Sequence, residues 1–209
     1  MAIRSEIKNI FWDFDGVLLD SNAIRDYGFC EVLKEFPKQQ VDKLLAFHRE
    51  NGGWSRYIKF RFFFEEIRNE KISDSEVQSW ADKFSNAVLF RLKNHNLLIN
   101  DSLNFVKSNF EKYNMHIVSG SDGIELNYLC EYFKIDKFFK TIQGSPTPKK
   151  ELVKIVMEGH KYDATKTVLV GDSKNDWEAA IENKIEFIGY NNIEFQKLQM
   201  NYISSFEKM

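Results

Sequence analysis

The sequence predicts an α/β fold in which a doubly wound parallel sheet forms a core and an all-helical segment follows the first strand. Two observations support this prediction. Short apolar segments alternate with amphipathic helical patterns along most of the chain, as in parallel sheets covered by helices on both faces. The alternation stops once, where residues 20–95 contain helical patterns only. We therefore expect a core of residues 1–19 and 96–209 and a helical cap of residues 20–95.

Five segments have the length and apolar character of buried strands. In chain order they are 7–14, 115–120, 140–144, 166–172 and 185–190. Asp101 is a suitable N-cap for the first of the helical patterns between them, which occupy 101–113, 149–160 and 176–184. Because parallel strands place their carboxyl ends at one edge of a sheet, the residues that follow the strands are expected to gather there.

The inserted segment contains four helical patterns, at 23–36, 39–51, 55–70 and 73–94. Ser73 and Glu76 have the spacing of a capping box at the start of the last one. Gly52 and Gly53 precede the third pattern and indicate a flexible loop between helices. An insertion directly after the first strand is expected to lie over the carboxyl edge of the sheet.

Composition and charge exclude several classes of protein. The chain has 209 residues, of which 43% are hydrophobic and 29% are charged, as in a globular rather than a disordered protein. Its net charge of -2 favours neither nucleic acid nor a membrane as partner, and no apolar run reaches the ~18 residues of a membrane span. Cys30 and Cys130 lack metal-ligand spacing and are expected to be free, buried thiols. We expect a cytoplasmic monomer or homodimer.

Charged and hydroxyl side chains stand at the ends of four predicted strands. They are Asp13, Asp15, Ser119, Lys149 or Lys150, Asp172 and Asp176. We expect the sheet to bring these four carboxylates, a hydroxyl and an ammonium around one point. Four carboxylates can share a site only with a cation, and a hard, oxygen-seeking ion such as Mg²⁺ suits them. The open coordination positions of that ion would suit a phosphoryl group.

Four short motifs resemble those of the haloacid dehalogenase superfamily of phosphotransferases. They are DFDGVLLDS, IVSGS, GSPTPKKEL and GDSKND, in that order along the chain. One such motif is weak evidence, but four in order, each closing a predicted strand, are specific. Within the superfamily, the chain resembles the subgroup of phosphoglycolate phosphatase-like and β-phosphoglucomutase-like proteins. The resemblance implies a Rossmann-like catalytic core and a helical cap, which corresponds to residues 20–95.

The resemblance also implies a role for each residue in a Mg²⁺-dependent phosphatase. Asp13 would be the nucleophile that takes the phosphoryl group, and Asp15 would act as general acid and then general base. Ser119 would hydrogen-bond a phosphoryl oxygen. The metal would be held by Asp13, the backbone carbonyl of Asp15 and Asp172, with Asp176 as a further ligand or as a group that orients one.

The third motif offers two candidates for its lysine. Many members of the superfamily have the order Lys-Pro-x-Pro, but Ser145 precedes the first proline in this chain. The lysine that balances the charge of the phosphoryl group is therefore assigned to Lys149, with Lys150 as the alternative. Only one of the two can point into the site, because neighbouring residues on a helix differ by ~100° in direction.

The expected substrate is a small phosphorylated metabolite, because a helical cap over the site excludes macromolecules. Gly16 and Gly120 lie within the first two motifs and are predicted to border the bound substrate. Ser55 and Arg56 begin a cap helix after the double glycine, where backbone N–H groups and a guanidinium suit an anionic part of the substrate. Arg25 is a weaker candidate near the junction of cap and core.

Three alternatives stay open. A sugar phosphomutase of the same superfamily would share every core motif, so only its cap and its products would separate it from a phosphatase. A phospho-accepting signalling module also phosphorylates an aspartate on a parallel sheet, but such a module lacks a helical insert and a GDSKND motif. A phosphonate-cleaving relative would need a Schiff-base lysine in the cap. Lys59 lies there, but no feature of the sequence marks it.

Overall fold

One parallel sheet of six strands forms the core of the computed structural model, which describes residues 3–207. The strands are β1 (Asn9–Trp12), β2 (Asn114–Asp122), β3 (Thr141–Ser145), β4 (Thr167–Gly171), β5 (Glu186–Tyr190) and β6 (Tyr202–Ile203). Their order across the sheet is β3-β2-β1-β4-β5-β6. The connections after β1 and β4 run in opposite directions, so a topological switch point lies between the carboxyl ends of these two strands.

The structure confirms the predicted fold class. All five predicted strands are present, and their ends differ from the prediction by at most two residues. The strand that the sequence pattern does not predict, β6, has only two residues and pairs with the end of β5 through Tyr190 and Ile203. So short a strand leaves no periodicity to detect.

Helices connect the strands and cover both faces of the sheet. They are α1 (Asn22–Val32), α2 (Lys38–Glu50), α3 (Arg56–Phe62), α4 (Asp74–Leu92), α5 (Asn100–Asn109), α6 (Gly123–Tyr132), α7 (Lys149–His160), α8 (Lys174–Glu182) and α9 (Ile193–Lys197). The sequence patterns do not predict α6 and α9. The first follows β2 without an intervening loop, and the second has only five residues. None of the helices in this part of the chain has both the length and the apolar character of a membrane span.

Residues of β1 divide the core into two layers. Ile10 and Trp12 pack on one face of the sheet with Leu103 of α5, whereas Phe11 packs on the other with Leu152 of α7. Successive side chains of a strand point to opposite faces, so a strand buried on both faces is apolar at every position rather than at alternate ones. This double burial is why the strand patterns are detectable in the sequence.

The prediction that Asp101 caps α5 is wrong. The N-cap of α5 is Ile99, and Asp101 lies in the first turn of the helix. Its carboxylate accepts hydrogen bonds from Tyr190 Oη at 2.9 Å and from the backbone N–H of Phe206 at 3.0 Å. Asp101 therefore binds the C-terminal segment to the sheet. Its partners lie about a hundred positions away in the sequence, so the local pattern did not predict them.

Two further details of the cap differ from the prediction, and one agrees with it. The helix expected over 55–70 changes after α3 into a π-helical turn, Phe63–Ile67. Cys30 is exposed rather than buried, although the thiol is free as expected. The capping box of Ser73 and Glu76 is present at the start of α4.

The helices α1–α4 pack around aromatic side chains. The ring of Phe29 lies 5.4 Å from that of Phe60 and 4.6 Å from that of Phe84, measured between ring centroids. These rings hold α1, α3 and α4 together and belong to the same buried cluster as Trp12 of β1. We propose that this segment is a cap domain with the boundaries expected from the sequence, residues 20–95.

Candidate active site

A cavity of about 930 Å³ lies between the carboxyl ends of β1, β2 and β4 and the helices α1–α4. Core residues that line it include Asp13, Asp15, Ser119, Gly120, Ser121 and Asp172, and cap residues include Arg25, Phe29, His48, Arg56, Lys59 and Phe84. The loop between α2 and α3 contacts the core, where the Gly53 carbonyl oxygen accepts a hydrogen bond from Asn175 Nδ2 at 2.9 Å. A Cβ atom on Gly120 would clash with that carbonyl group, so glycine at 120 permits the close approach.

Three carboxylates and one lysine form the core side of this cavity. Oxygen atoms of Asp13, Asp172 and Asp176 lie within 4.8 Å of one another. Lys149 Nζ lies 2.8 Å from Asp13 Oδ1 and donates a hydrogen bond to Asp176 Oδ1. All of these side chains except Asp172 are fully buried. One ammonium therefore faces three carboxylates, and the core side is short of positive charge.

Burial and like charge shift the pKa values in this cluster. Burial, followed by the charge of Asp176, raises the pKa of Asp13 to about 7, although Lys149 opposes the change. Burial and the charges of Asp13 and Asp176 also raise the pKa of Asp172 well above its ordinary value. Burial alone would lower the pKa of Lys149, but Asp13 and Asp176 raise it, so this side chain is an ammonium. A divalent cation would relieve the repulsion between the carboxylates.

The turn after β1 brings Asp13 and Asp172 together. The Asp13 N–H donates a hydrogen bond to the carbonyl oxygen of Val170 on β4 at 2.9 Å, which continues the pairing of the two strands. Gly16 adopts a φ of 77°, a conformation that favours glycine. A Cβ atom there would clash with the carboxylate of Asp172. Gly16 is therefore required by the turn and by the space that Asp172 occupies.

The carboxylate of Asp15 lies in a different environment from the other three. It accepts hydrogen bonds from the hydroxyl groups of Ser21 and Ser121, and Arg25 Nη2 lies 3.0 Å from its Oδ1 atom. Burial alone would raise the pKa of Asp15, but the charge of Arg25 and the two serine hydrogen bonds lower it. The expectation that four carboxylates surround one point is thus wrong, because three gather and Asp15 is taken up by an ion pair.

Glu125 of α6 joins two arginines of the cap. Its carboxylate accepts a hydrogen bond from Arg25 Nη1 at 2.5 Å and two from Arg56, at 3.0 Å from Nη1 and 2.8 Å from Nη2. All three side chains are buried. Burial opposes the shift, but the two guanidinium groups lower the pKa of Glu125 to about 2. The sequence analysis missed Glu125, whose only signal is its position one helical turn after the second motif.

The two cap residues predicted to contact substrate lie in different places. Arg56 lines the large cavity, and apart from its bonds to α6 it donates a hydrogen bond to Ser85 Oγ at 2.5 Å and lies 4.6 Å from the ring centroid of Phe84. Ser55 is the N-cap of α3 and accepts a hydrogen bond from the Ile58 N–H at 3.4 Å. It borders a neighbouring cavity of about 470 Å³ instead of the large one.

The two lysines of the third motif also separate. Lys149 lies in the carboxylate cluster, whereas Lys150 is exposed and its Nζ lies 3.1 Å from Glu182 Oε1. Ser119 is buried in the cavity wall, where its Oγ accepts a hydrogen bond from the Ser121 N–H at 3.1 Å. The geometry therefore brings Lys149 and Ser119, but not Lys150, to the predicted site.

Asp176 is bound on both of its carboxylate oxygens. Its Oδ1 atom accepts a hydrogen bond from Lys149, and its Oδ2 atom accepts hydrogen bonds from the N–H and the hydroxyl of Ser173, at 3.0 and 2.6 Å. With Ser173 it forms a capping box at the start of α8. These bonds suit a residue that orients Lys149 more than one that binds a metal directly.

A comparison of the whole chain with known families agrees with the motifs. The sequence model of the haloacid dehalogenase-like hydrolases matches residues 10–190. The chain belongs to this family. No curated protein matches the chain. Membership confirms the resemblance found in the sequence, supports an enzyme of the haloacid dehalogenase-like hydrolase family and argues against the signalling-module alternative.

Several solved structures share the fold over almost the entire chain. A family IA, variant 3 hydrolase from Entamoeba histolytica has a TM-score of 0.77 at 16% identity, covering 97% of this chain and 95% of its own. A β-phosphoglucomutase from Clostridium difficile has a TM-score of 0.74 at 15% identity, with 97% and 93% covered. A predicted phosphoglycolate phosphatase from Haemophilus somnus has a TM-score of 0.72 at 16% identity, with 98% and 96% covered. These similarities establish the fold.

Proposed function

We propose that the protein hydrolyses a small phosphate monoester in a Mg²⁺-dependent reaction that passes through an aspartyl phosphate on Asp13. One observation supports this above all others. Asp13 lies at the switch point of the sheet, with Lys149 and two further carboxylates beside it and a cavity in front of it. A carboxylate in such a place has the position of a nucleophile and the neighbours of a metal ligand.

The donor atoms around Asp13 fit Mg²⁺. The carboxylates of Asp13 and Asp172 and the backbone carbonyl of Asp15 would hold the ion, and all of these ligands are oxygen atoms, as Mg²⁺ prefers. Asp176 would orient Lys149, since both of its oxygens are already bound within the protein. The bound ion would withdraw charge from the phosphoryl oxygens and neutralise the carboxylates that repel each other.

In the first step, an oxygen of Asp13 attacks phosphorus and the bond to the alcohol oxygen breaks. The Ser119 hydroxyl and the Lys149 ammonium hold oxygens of the phosphoryl group, while Asp15 protonates the leaving oxygen. In the second step, Asp15 takes a proton from water, which attacks phosphorus and releases phosphate and free Asp13. Arg25 lowers the pKa of Asp15, which favours the carboxylate that the second step needs and makes protonated Asp15 a stronger donor in the first step. The proton for that first step is the one taken from water in the previous turnover, or one that the monoanion of the phosphate ester brings.

The substrate is proposed to be a small phosphorylated metabolite rather than a nucleic acid or a membrane lipid. The cavity lies between cap and core, and residues of both line it. A site covered in this way admits small molecules and excludes macromolecules. Contacts of Gly16, Gly120, Ser55 and Arg56 with that substrate stay predictions.

A panel of phosphorylated metabolites tests the proposal. Phosphate release should require Mg²⁺, disappear with a strong chelator and return when Mg²⁺ is restored, while Ca²⁺ should support it poorly because its coordination is larger and less regular. Release that a chelator does not change would contradict the metal assignment. No release from any member, with p-nitrophenyl phosphate included, would contradict the phosphatase assignment.

The same panel tests a phosphomutase, the second candidate function. The β-phosphoglucomutase of C. difficile shares the fold, and a mutase would use the same core residues. A mutase returns the phosphoryl group to the sugar, so its product is a phosphorylated isomer. Phosphorus NMR of the reaction mixture should show inorganic phosphate for a phosphatase and a shifted sugar phosphate signal for a mutase.

A further inference from the structure

Lys59 of α3 has a buried side chain whose amino group has no partner in the described part of the chain. Burial lowers its pKa to about 7, so it is an ammonium below neutral pH. Lys59 is 3% exposed and lines the large cavity. Within residues 3–207, no carboxylate forms an ion pair with its Nζ atom and no hydrogen bond of that atom is found. Burying a charge without a counter-charge is costly. An unpaired ammonium at a cavity wall is therefore placed to meet a charge that a ligand brings.

Positive charge exceeds negative charge around Lys59. The two nearby carboxylates are already paired, Asp15 with Arg25 at 3.0 Å and Glu125 with Arg56 at 2.8 Å. Three buried cations thus share two carboxylates, and Lys59 is the cation that remains. Arg56, the contact expected from the sequence, has carboxylate partners for both of its terminal nitrogens. The free positive charge lies one helical turn later, on Lys59.

Two further carboxylates of the cap line the cavity, Asp26 and Glu50, and Glu50 is exposed at the end of α2. Asp26 accepts hydrogen bonds from Arg49 Nε and Nη2 at 2.9 and 2.8 Å, so its charge is neutralised. His48 also lines the cavity, and burial followed by the charges of Lys59 and Arg25 lowers its pKa to about 3, which keeps the ring uncharged. The buried His48 Nδ1 atom has no hydrogen-bond partner in the described part of the chain.

Lys59 lies on the side of the cavity that the leaving group must occupy. Asp15, the proposed proton donor to the leaving oxygen, lines the large cavity together with Lys59. Arg25 binds Asp15 at 3.0 Å and shares Glu125 with Arg56. Lys59 follows Arg56 by one turn of α3, so it lies at the same end of the cavity. The alcohol part of a substrate whose ester oxygen reaches Asp15 therefore extends toward Lys59.

We propose that Lys59 forms a second anion subsite, which binds a carboxylate on the alcohol part of the phosphate monoester. This inference rests on the proposed function and narrows its substrate to phosphate esters of hydroxy acids. A carboxylate fits better than a second phosphate because one unpaired cation is neutralised by one negative charge. A phosphate dianion would leave this end of the cavity with surplus negative charge beside Asp15 and Glu125.

Matched pairs of substrates test the subsite. 2-Phosphoglycolate and ethyl phosphate differ in a carboxylate, and so do 3-phosphoglycerate and glycerol 3-phosphate. We expect the wild-type enzyme to prefer the acid in each pair, and Lys59→Met to lower kcat/KM for the acids by about 10- to 100-fold, mainly through KM. The neutral esters should change less than about twofold. Lys59→Arg keeps the charge and should retain most of the preference, and Lys43→Met on the exposed side of α2 is the matched control.

Each other outcome overturns the proposal in a different way. Equal losses on acids and neutral esters, or no preference in the wild type, would remove the subsite while leaving the phosphatase assignment intact. A preference for glucose 1,6-bisphosphate over glucose 6-phosphate that depends on Lys59 would replace the carboxylate with a phosphate. No Mg²⁺-dependent hydrolysis of any ester, including p-nitrophenyl phosphate, would overturn both the proposed function and the subsite.

Discussion

The two sides of the cavity carry opposite unbalanced charge. On the core side, one ammonium faces three carboxylates, namely Lys149 with Asp13, Asp172 and Asp176. On the cap side, two carboxylates face three cations, namely Asp15 and Glu125 with Arg25, Arg56 and Lys59. The core side lacks positive charge, and the cap side lacks negative charge. A metal ion would balance the first and an anionic substituent the second, so one substrate complex would satisfy both.

The two sides also differ in how they are built. The core side stands on the ends of adjacent parallel strands and on the helices that follow them, so backbone pairing positions its carboxylates. The cap side depends on side chains that reach across from α1 and α3 to α6. The difference indicates that the sheet positions the residues of the proposed reaction. A few ion pairs between cap and core position the residues proposed to select the substrate.

Removal of the nucleophile from the core side should have the largest effect. Asp13→Asn should lower kcat by at least about 10³-fold, because an amide does not attack phosphorus to form the covalent intermediate. The variant should remain folded and should be no less stable without metal, since the change removes one of three carboxylates that repel each other. Steady-state kinetics and thermal unfolding measure the two effects.

A matched control for this variant is Asp82→Asn, on the exposed surface of α4. It should leave both activity and melting temperature unchanged. Activity of Asp13→Asn within about tenfold of the wild type would show that another group takes the phosphoryl group, and the assignment of the core side would then be wrong.

Much of the core side was predictable from the sequence because its determinants are local. An apolar run predicts a strand, and the residues directly after the run mark its carboxyl end, which identified Asp13, Ser119 and Asp172. Parallel topology then brings those ends together. The position of Asp15 was not predictable in this way, because its serine and arginine partners come from the cap and from β2.

The cap side was largely hidden in the sequence. Arg56 was recognised as a charged residue at a helix start, but its partner Glu125 lies 69 positions away on a helix that the pattern did not predict. Lys59 has no motif around it. Lys59 stands out only because the charges on several helices around it are unbalanced. A helical pattern predicts which face of a helix is buried, but it does not predict which residues that face contacts.

Removal of the carboxylate that joins cap and core should have a smaller effect, measured on stability. Glu125→Gln should lower the free energy of unfolding by roughly 3 kcal/mol, because two buried guanidinium groups lose their shared counter-charge. Chemical denaturation measures this loss. Glu131→Gln on the exposed face of the same helix is the matched control and should change stability by less than about 0.5 kcal/mol. A Glu125→Gln protein as stable as its control would mean that the arginines find other partners.

Removal of the Lys59 charge should have the smallest effect, and it distinguishes a ligand site from a structural ion pair. A buried ammonium without a partner destabilises the free protein, so Lys59→Met should raise the free energy of unfolding by about 2 kcal/mol near pH 6, equivalent to roughly 4–8 °C in melting temperature. The control variant Lys43→Met should leave the free energy of unfolding unchanged. A loss of stability in Lys59→Met at this pH would show that the ammonium has a partner within the protein.

The pH dependence of this gain follows from the pKa of Lys59, which burial lowers from the ordinary 10.5 to about 7 in the folded protein. Between these two values the unfolded chain binds the proton that the folded protein has released, so wild-type stability increases with pH across this range. The advantage of Lys59→Met should therefore be largest below pH 7, decline as pH rises and vanish near pH 10.5.

Added Mg²⁺ and 2-phosphoglycolate should reverse the order of stability of the two proteins at pH 6. The bound carboxylate supplies the counter-charge that Lys59 lacks, and it stabilises only the wild type in this way. Thermal unfolding of both proteins at pH 6 and pH 9, with and without this ligand, measures all of these differences. A stability difference that does not change between pH 6 and pH 9 would mean that Lys59 keeps its ordinary pKa and stays charged in the folded protein, because a partner or solvent stabilises it, and the cap side of the cavity would then carry no unbalanced charge.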